Sequence, residues 1–342
     1  MSNAKNGLRV GISGYGLAGR FFHAPLLKGT GFDVAVALTT NATRIDELGS
    51  DFPQARAVSQ FEELISAAPD LIVIASANIV HKEQAIAALR AGIPVVVDKP
   101  MGLTLADTQE IVQVSQETGV PVTTYFNRKW DSESLTIKKV LAQGLLGDVF
   151  RLDSRFERFR PKSNPGSWRE NMSFEQGGGK LLDLQPHLIS TALDWFGPAQ
   201  LTHASVRSIR KMADDDSVLV LKHDSGVDSY LSASEVMGST GPRIRLSGTQ
   251  GSLVVRDLDP QEALLRAGKY PQNGEWSENT STVAYLYRGD EVTEIQGERG
   301  NYAHFYAQVA SAIQQGTPWP VTTNEALAVA TIIEQAHRTS IR

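Results

Sequence analysis

The strongest constraint on the fold lies near the N-terminus, where a short apolar run, Arg9–Ser13, leads into Gly14-Tyr15-Gly16-Leu17-Ala18-Gly19 and then an amphipathic stretch, Ala18–Lys28. A G-x-G-x-x-G turn between a strand and a helix is informative because each glycine has its own task. Gly14 permits the tight turn, Gly16 lets backbone approach a pyrophosphate, and Gly19 lets the helix close on the strand. Free N–H groups at the helix start then face the anion. The loop, with Tyr15, Leu17 and Ala18, is expected to hold a dinucleotide.

The same alternation continues downstream. Strands are expected at Asp33–Thr39, Leu71–Ala75, Pro94–Val97 and Val120–Tyr125, and helices at Phe61–Ala67, Lys82–Ala91 and Leu105–Thr118. This spacing predicts a doubly wound parallel sheet with helices on both faces, and runs such as Leu71-Ile72-Val73-Ile74 suit strands buried on both sides. Beyond residue 125 the texture changes. A helix is expected at Ser134–Gln143. Strands follow at Val149–Phe156, Val218–His223, Val227–Ser234, Arg243–Leu246 and Ser252–Val255, the second and third joined by a tight turn at His223–Val227. Helices at Asn301–Gln315 and Asn324–His337 close the chain. The fold expected is α/β plus α+β. Residues 1–125 form a Rossmann domain. Residues 126–342 form a substrate-binding and oligomerisation domain with a large, open, mainly antiparallel sheet, and the last helices pack back on the first domain.

Composition narrows the chemistry. The 342 residues, 41% hydrophobic and 21% charged, suffice for two cores. A net charge of −5 disfavours nucleic acid. The chain has no cysteine, which excludes disulfides, thiolate metal sites and cysteine nucleophiles and suits a reducing cytoplasm. Met1–Gly7 is short and polar, unlike a signal peptide, and no apolar run is long enough to span a membrane. Seven scattered histidines, with no i, i+4 pair, offer no metal site.

Two features of the first half bear on cofactor and catalysis. The second strand ends Thr39-Thr40-Asn41, without the acid that usually binds a ribose 2′-hydroxyl. Thr39, Thr40 and Arg44 could instead receive a 2′-phosphate, so NADP(H) is expected over NAD(H). Val95-Val96-Val97 leads into Asp98-Lys99-Pro100. Lys99 thus stands at the carboxyl end of a strand, where it could bind a substrate hydroxyl and stabilise an alkoxide, or could simply be a surface lysine paired with Asp98.

In the second half, Gly177-Gly178-Gly179-Lys180-Leu181-Leu182-Asp183-Leu184-Gln185-Pro186-His187 stands out. Three glycines allow backbone to pass close to a ligand or another chain. Pro186 suits the first turn of a helix, placed at Gln185–Trp195. Asp183 then lies just before that helix and His187 just inside it. A histidine there is a natural general base with a carboxylate nearby, although helix capping and packing are the commoner uses.

Gly14-Tyr15-Gly16, Ser76-Ala77-Asn78 with His81, and Asp98-Lys99-Pro100 together resemble the glucose–fructose oxidoreductase/inositol dehydrogenase/rhizopine-catabolism family. Asp98 replaces the family's Glu, Ala77 its usual Pro, and Gln185 a frequent Gly. The resemblance implies that Lys99 touches cofactor and substrate, that Asp183 and His187 are catalytic, and that Ser76, Asn78 and His81 lie near the cofactor. Asn127-Arg128-Lys129-Trp130-Asp131, Arg160-Pro161 and Trp168-Arg169-Glu170 resemble the NADP-preferring scyllo-inositol dehydrogenase branch, with Asn127, Trp168 and Arg169 as substrate-site candidates. It also implies a homodimer or homotetramer through the open sheet.

The activity expected is reversible oxidation of a secondary alcohol on a cyclic polyol or sugar, with no metal. The alternatives are an aldose dehydrogenase, a ketose or anhydro-sugar reductase, and a non-catalytic NADP(H) sensor.

Overall fold

The computed structural model describes residues 7–271, 276 and 281–340. Met1–Asn6, most of the N-terminal stretch read above as polar, lie outside them.

The first sheet has six parallel strands: β1 (Leu8–Ser13), β2 (Phe32–Leu38), β3 (Arg56–Val58), β4 (Leu71–Ile74), β5 (Val95–Val97) and β6 (Val122–Thr124), in the order β3-β2-β1-β4-β5-β6. All four residues of β4 and all three of β5 and β6 are buried, as expected of central strands covered on both faces. The order reverses beside β1, so a crevice opens at the carboxyl ends of β1 and β4, where ligands bind in such sheets.

The helix after β1 begins at Leu17 and runs through a wide π-helical turn to His23 before Ala24–Gly29 continues as ordinary α-helix. Two elements of this half escape the periodicity. The helix Ala42–Asp51 buries only Leu48, so its apolar stripe is thin. Strand β3 has three residues, too few for a period.

The second sheet has eight strands: β7 (Val149–Glu157), β8 (Ala199–Arg207), β9 (Asp216–His223), β10 (Asp228–Ser234), β11 (Ile244–Gly248), β12 (Gly251–Val255), β13 (Val283–Arg288) and β14 (Glu291–Gln296). Their order is β14-β13-β12-β11-β7-β10-β9-β8, antiparallel except for β7 and β10 at the centre. The hairpin between β9 and β10 turns at Gly226, whose φ is +92°. Strands β8, β13 and β14 were not anticipated. The edge strands β8 and β14 have no fully buried residue, so no buried alternation marks them.

One face of this sheet packs on the helix Gln185–Phe196, whose first eight residues are all buried. The final helix, Thr323–Ser340, returns to the first domain: Ala326 joins the core around Ile74 and Val97. Just before it, the Val321 carbonyl accepts a hydrogen bond from Thr123 at 2.7 Å. No helix among the described residues is long and apolar enough to cross a membrane.

Candidate active site

The glycine loop forms the floor of the crevice. Gly14 has φ +92°, and a Cβ on Gly19 would stand 2.0 Å from the Gly14 carbonyl oxygen. The loop is therefore a backbone cradle that side chains would fill, as pyrophosphate binding requires. Leu17 and Ala18 face the cavity above it. Tyr15 does not: its ring is buried and its hydroxyl donates to Asp51 at 3.0 Å. Burial, reinforced by Asp51, pushes that phenol far above its ordinary range. Arg20 also holds Asp51, at 2.8 Å, and pairs with Glu47. These contacts pin the helix Ala42–Asp51 against the loop.

Arg44 rides on that helix, capped by Asn41. Its guanidinium carbon lies 3.4 Å from where a Gly16 Cβ would be. It has no ion pair among the described residues, whereas Thr39 is buried and Thr40 exposed beside it. A cation above the loop with unspent donors fits a phosphate on the adenosine ribose.

The loop after β4 is a brace. Ser76 Oγ donates to Gln84 at 3.2 Å, and Asn78 Nδ2 donates to the Gly177 carbonyl at 3.2 Å, joining the two domains. His81 is fully enclosed, with Nδ1 2.9 Å from the Pro100 carbonyl and Nε2 3.3 Å from that of Ser76. Burial lowers its pKa, so the ring is neutral and donates to one of these carbonyls. The His81 side chain is thus spent on the loop that carries Lys99, and the amide nitrogen of Asn78 on the glycine run of the second domain. Any contact of theirs with a cofactor, as the resemblance implied, is not through these committed atoms.

A cavity of about 240 Å³ opens between the domains and draws together Lys99, Asn127, Arg169, Asp183 and His187. Lys99 reaches across it: Nζ donates to the Asp183 carbonyl at 2.6 Å and to its carboxylate at 3.0 Å. Its partner is therefore Asp183, not Asp98, whose carboxylate accepts the Lys99 backbone N–H at 2.8 Å. Asp183 does not cap the helix Gln185–Phe196, which has no side-chain cap. Burial would raise its pKa, but Lys99, Lys180 and Arg169 outweigh this and hold the carboxyl well below its usual range. Trp168 reaches the cavity only through Arg169, whose guanidinium lies 4.4 Å from the indole centroid.

His187 sits in the first turn of its helix with its ring centroid 6.1 Å from that of Phe156, the two planes inclined at 64°. Burial, then the charges of Lys99 and Arg128, lower its pKa well below 6.5. The imidazole is neutral at physiological pH and can accept a proton. Its Nδ1 and the Tyr125 hydroxyl are enclosed with no hydrogen-bond partner among the described residues. Unpaired polar atoms are rare in finished cores and common at ligand sites.

The glycine run 177–179 serves a different end from the one expected. A Cβ on Gly178 would meet the Met172 carbonyl at 2.0 Å, and one on Gly179 the Asp214 carboxylate at 1.7 Å. The close approach is to this chain's own segments. Sequence reasoning missed Lys180, Arg158 and Glu235, which stand at the cavity or just behind it. For Arg158 a signal existed: with Arg160 it forms an i, i+2 pair just past the end of β7.

The description "Oxidoreductase family, NAD-binding Rossmann fold" matches residues 8–126, and "GFO/IDH/MocA C-terminal domain" matches residues 134–254. Scyllo-inositol 2-dehydrogenase (NADP(+)) IolW of Bacillus subtilis is 32% identical over 97% of this chain and 94% of its own. The uncharacterized oxidoreductase YdgJ of Escherichia coli is 34% identical over 96% of this chain and 94% of its own. The structure of the YPO2259 protein of Yersinia pestis superposes with a TM-score of 0.88 at 34% identity, covering 99% of this chain and 97% of that one.

Proposed function

The chain belongs to the GFO/IDH/MocA oxidoreductases, and from that premise we propose that it oxidises a secondary alcohol of a cyclic polyol such as an inositol, reversibly and with NADP+ preferred. It is an enzyme of the dehydrogenase class acting on CH–OH groups. The observation that carries the reading is the convergence of Lys99, Asp183 and a neutral His187 on one cavity that Leu17 and Ala18 of the glycine loop also line. A binding-only sensor of the cofactor needs none of these three.

A nicotinamide dinucleotide would be held by the loop Gly14–Gly19 and Arg44, and would supply a reversible hydride acceptor for the carbinol carbon. The protein's part is to hold the oxygen and move its proton. An ammonium has three donors, and Lys99 spends two on Asp183, which leaves one for the carbinol oxygen. That donor also stabilises the charge growing on the oxygen as the proton leaves. His187 accepts the proton. With Nδ1 enclosed, Nε2 is the nitrogen that meets the hydroxyl. Asp183 stays ionised and fixes Lys99. In this reading the enzyme works in the cytoplasm as a homodimer or homotetramer.

The test is reduction of NADP+ and NAD+, followed by absorbance, against a panel of inositols and aldoses. Turnover of an inositol with NADP+ is the expected result. Turnover confined to aldoses removes the substrate while keeping the mechanism, and silence throughout, with cofactor bound, removes the enzymatic reading.

Cofactor preference has its own test. Arg44→Ala is expected to raise KM for NADP+ roughly tenfold or more, the cost of a lost charged hydrogen bond, and to change KM for NAD+ much less. Equal shifts for both cofactors would take Arg44 off the phosphate. The pH profile is a third. The acid limb of kcat/KM reports the base in the free enzyme. Because His187 is depressed below 6.5, activity is expected to hold its plateau at pH 6.5 and fall only at lower pH. A limb at or above 6.5 would assign the proton to another group.

A further inference from the structure

Beyond the reacting centre the cavity wall carries an alternating chain of charges. Lys99 binds Asp183; Lys180 binds the other Asp183 oxygen at 3.1 Å and Glu235 at 3.2 Å. Glu235 then faces Arg158 at 3.6 Å and Arg160 at 3.8 Å. Arg169 adds a further cation 3.7 Å from Asp183. Five cations thus surround two carboxylates. Of the other acids nearby, Glu170 and Asp215 share Arg210, and Glu262 pairs with Arg128.

The surplus lies at the arginine end. Glu235 is fully buried, and neither of its carboxylate oxygens has a hydrogen bond among the described residues. The Arg158 and Arg160 side chains sit beyond hydrogen-bond distance of it, 37% and 57% exposed. Neither guanidinium donates a hydrogen bond to another described residue. They are nevertheless aimed at one place. Two positions apart in an extended segment that continues β7, they project on the same side and line the cavity, while Phe159 between them faces out at 61% exposure. A guanidinium fork is shaped for bidentate contact with a carboxylate or phosphate, and two unspent forks at one end of a cleft focus a positive field there.

We propose that the substrate carries a negatively charged group, a carboxylate or a phosphate ester, which seats on Arg158 and Arg160 while its reacting carbinol meets Lys99 and His187. This rests on the polyol reading of the cavity. It narrows the substrate from a neutral polyol to an acidic one, with Lys180 linking the anion end to the catalytic end through Asp183 and Glu235.

The experiment uses matched series: glucose, glucuronate and glucose 6-phosphate, and myo-inositol with an inositol monophosphate. Binding of each to the full chain saturated with NADP+ is measured by calorimetry, and turnover by absorbance. The expected result is binding of a charged member at least tenfold tighter than its neutral parent, with uronate against phosphate deciding which anion fits. In the Arg158→Gln/Arg160→Gln variant that ratio should fall toward one, and in Arg158→Lys/Arg160→Lys it should be partly kept. Neutral parents that bind as well as the anions overturn the proposal. A glutamine variant that weakens NADP+ itself, with the ratio unchanged, overturns it too by assigning the arginines to the cofactor's phosphates. Preferential anion binding without turnover of any compound would sink the polyol dehydrogenase reading and leave the anion subsite standing.

Discussion

Replacing His187 with alanine is expected to lower kcat for carbinol oxidation by about 10²–10⁴-fold, the usual worth of a positioned general base. NADP+ affinity should stay close to that of the unaltered chain. The reasoning is positional. His187 lies in the second domain on the helix Gln185–Phe196, whereas the pyrophosphate cradle and Arg44 belong to the first. The ring is neutral because burial and the neighbouring cations disfavour its charged form, so it is poised to take a proton and not to donate one. Lys99 keeps its two contacts with Asp183 in the variant and still holds the carbinol oxygen. The loss should therefore appear in kcat more than in KM. Alanine also leaves a void beside Phe156, so His187→Asn serves as a second variant of nearer volume. If both variants are folded by circular dichroism and turn over within a few-fold of the original, His187 is not the base.

The second large effect is expected from Gly19→Ala. The added methyl would stand 2.0 Å from the Gly14 carbonyl oxygen and 3.0 Å from its carbon, contacts that backbone cannot relieve by rotating a side chain. The start of the helical segment must move off the strand, and overpacking of this kind costs roughly 1–3 kcal/mol. The move also displaces the N–H groups that face the phosphates, so NADP+ affinity should fall about tenfold or more along with stability. Gly49→Ala is the control. It sits in the helix Ala42–Asp51 with nothing within 4 Å of where the added methyl would stand. There the change should be neutral or slightly stabilising, because glycine inside a helix is worse than alanine by roughly 0.5–1 kcal/mol. Titration of NADP+ by intrinsic fluorescence, with thermal melts, reads both variants. Normal cofactor affinity in Gly19→Ala would mean that the loop does not carry the dinucleotide.

The sequence is informative where a physical requirement is local. A glycine that must tolerate φ +92° or a methyl-free approach can be recognised from its neighbours in the chain, and Gly14 and Gly19 were. Buried strands such as β4 are legible because burial on both faces demands an unbroken apolar run. The edge strands β8 and β14 were missed for the converse reason, since side chains that are exposed or only partly buried are under no such demand. Lys99, Asp183 and His187 were legible as residue types in telling positions, and their meeting across one cavity was an expectation built on resemblance.

What the tertiary structure decided is every question of partnership. Asp98 is adjacent to Lys99 in the chain, yet the ammonium reaches Asp183, 84 residues away. His81 and Asn78 have side chains suited to a ligand, and packing spends both on carbonyls of this protein. Tyr15 stands inside the glycine motif and turns into the core toward Asp51. Lys180 and Glu235 carry no signal as single residues, and only the packing of the helical turn Lys180–Asp183 beside β10 sets them 3.2 Å apart. By itself, then, the chain determined its two sheets and the cradle between strand and helix, because backbone conformation and burial are written in short stretches. Which charges meet depends on distances between segments far apart in sequence, and those exist only once the two domains have closed on a common cavity.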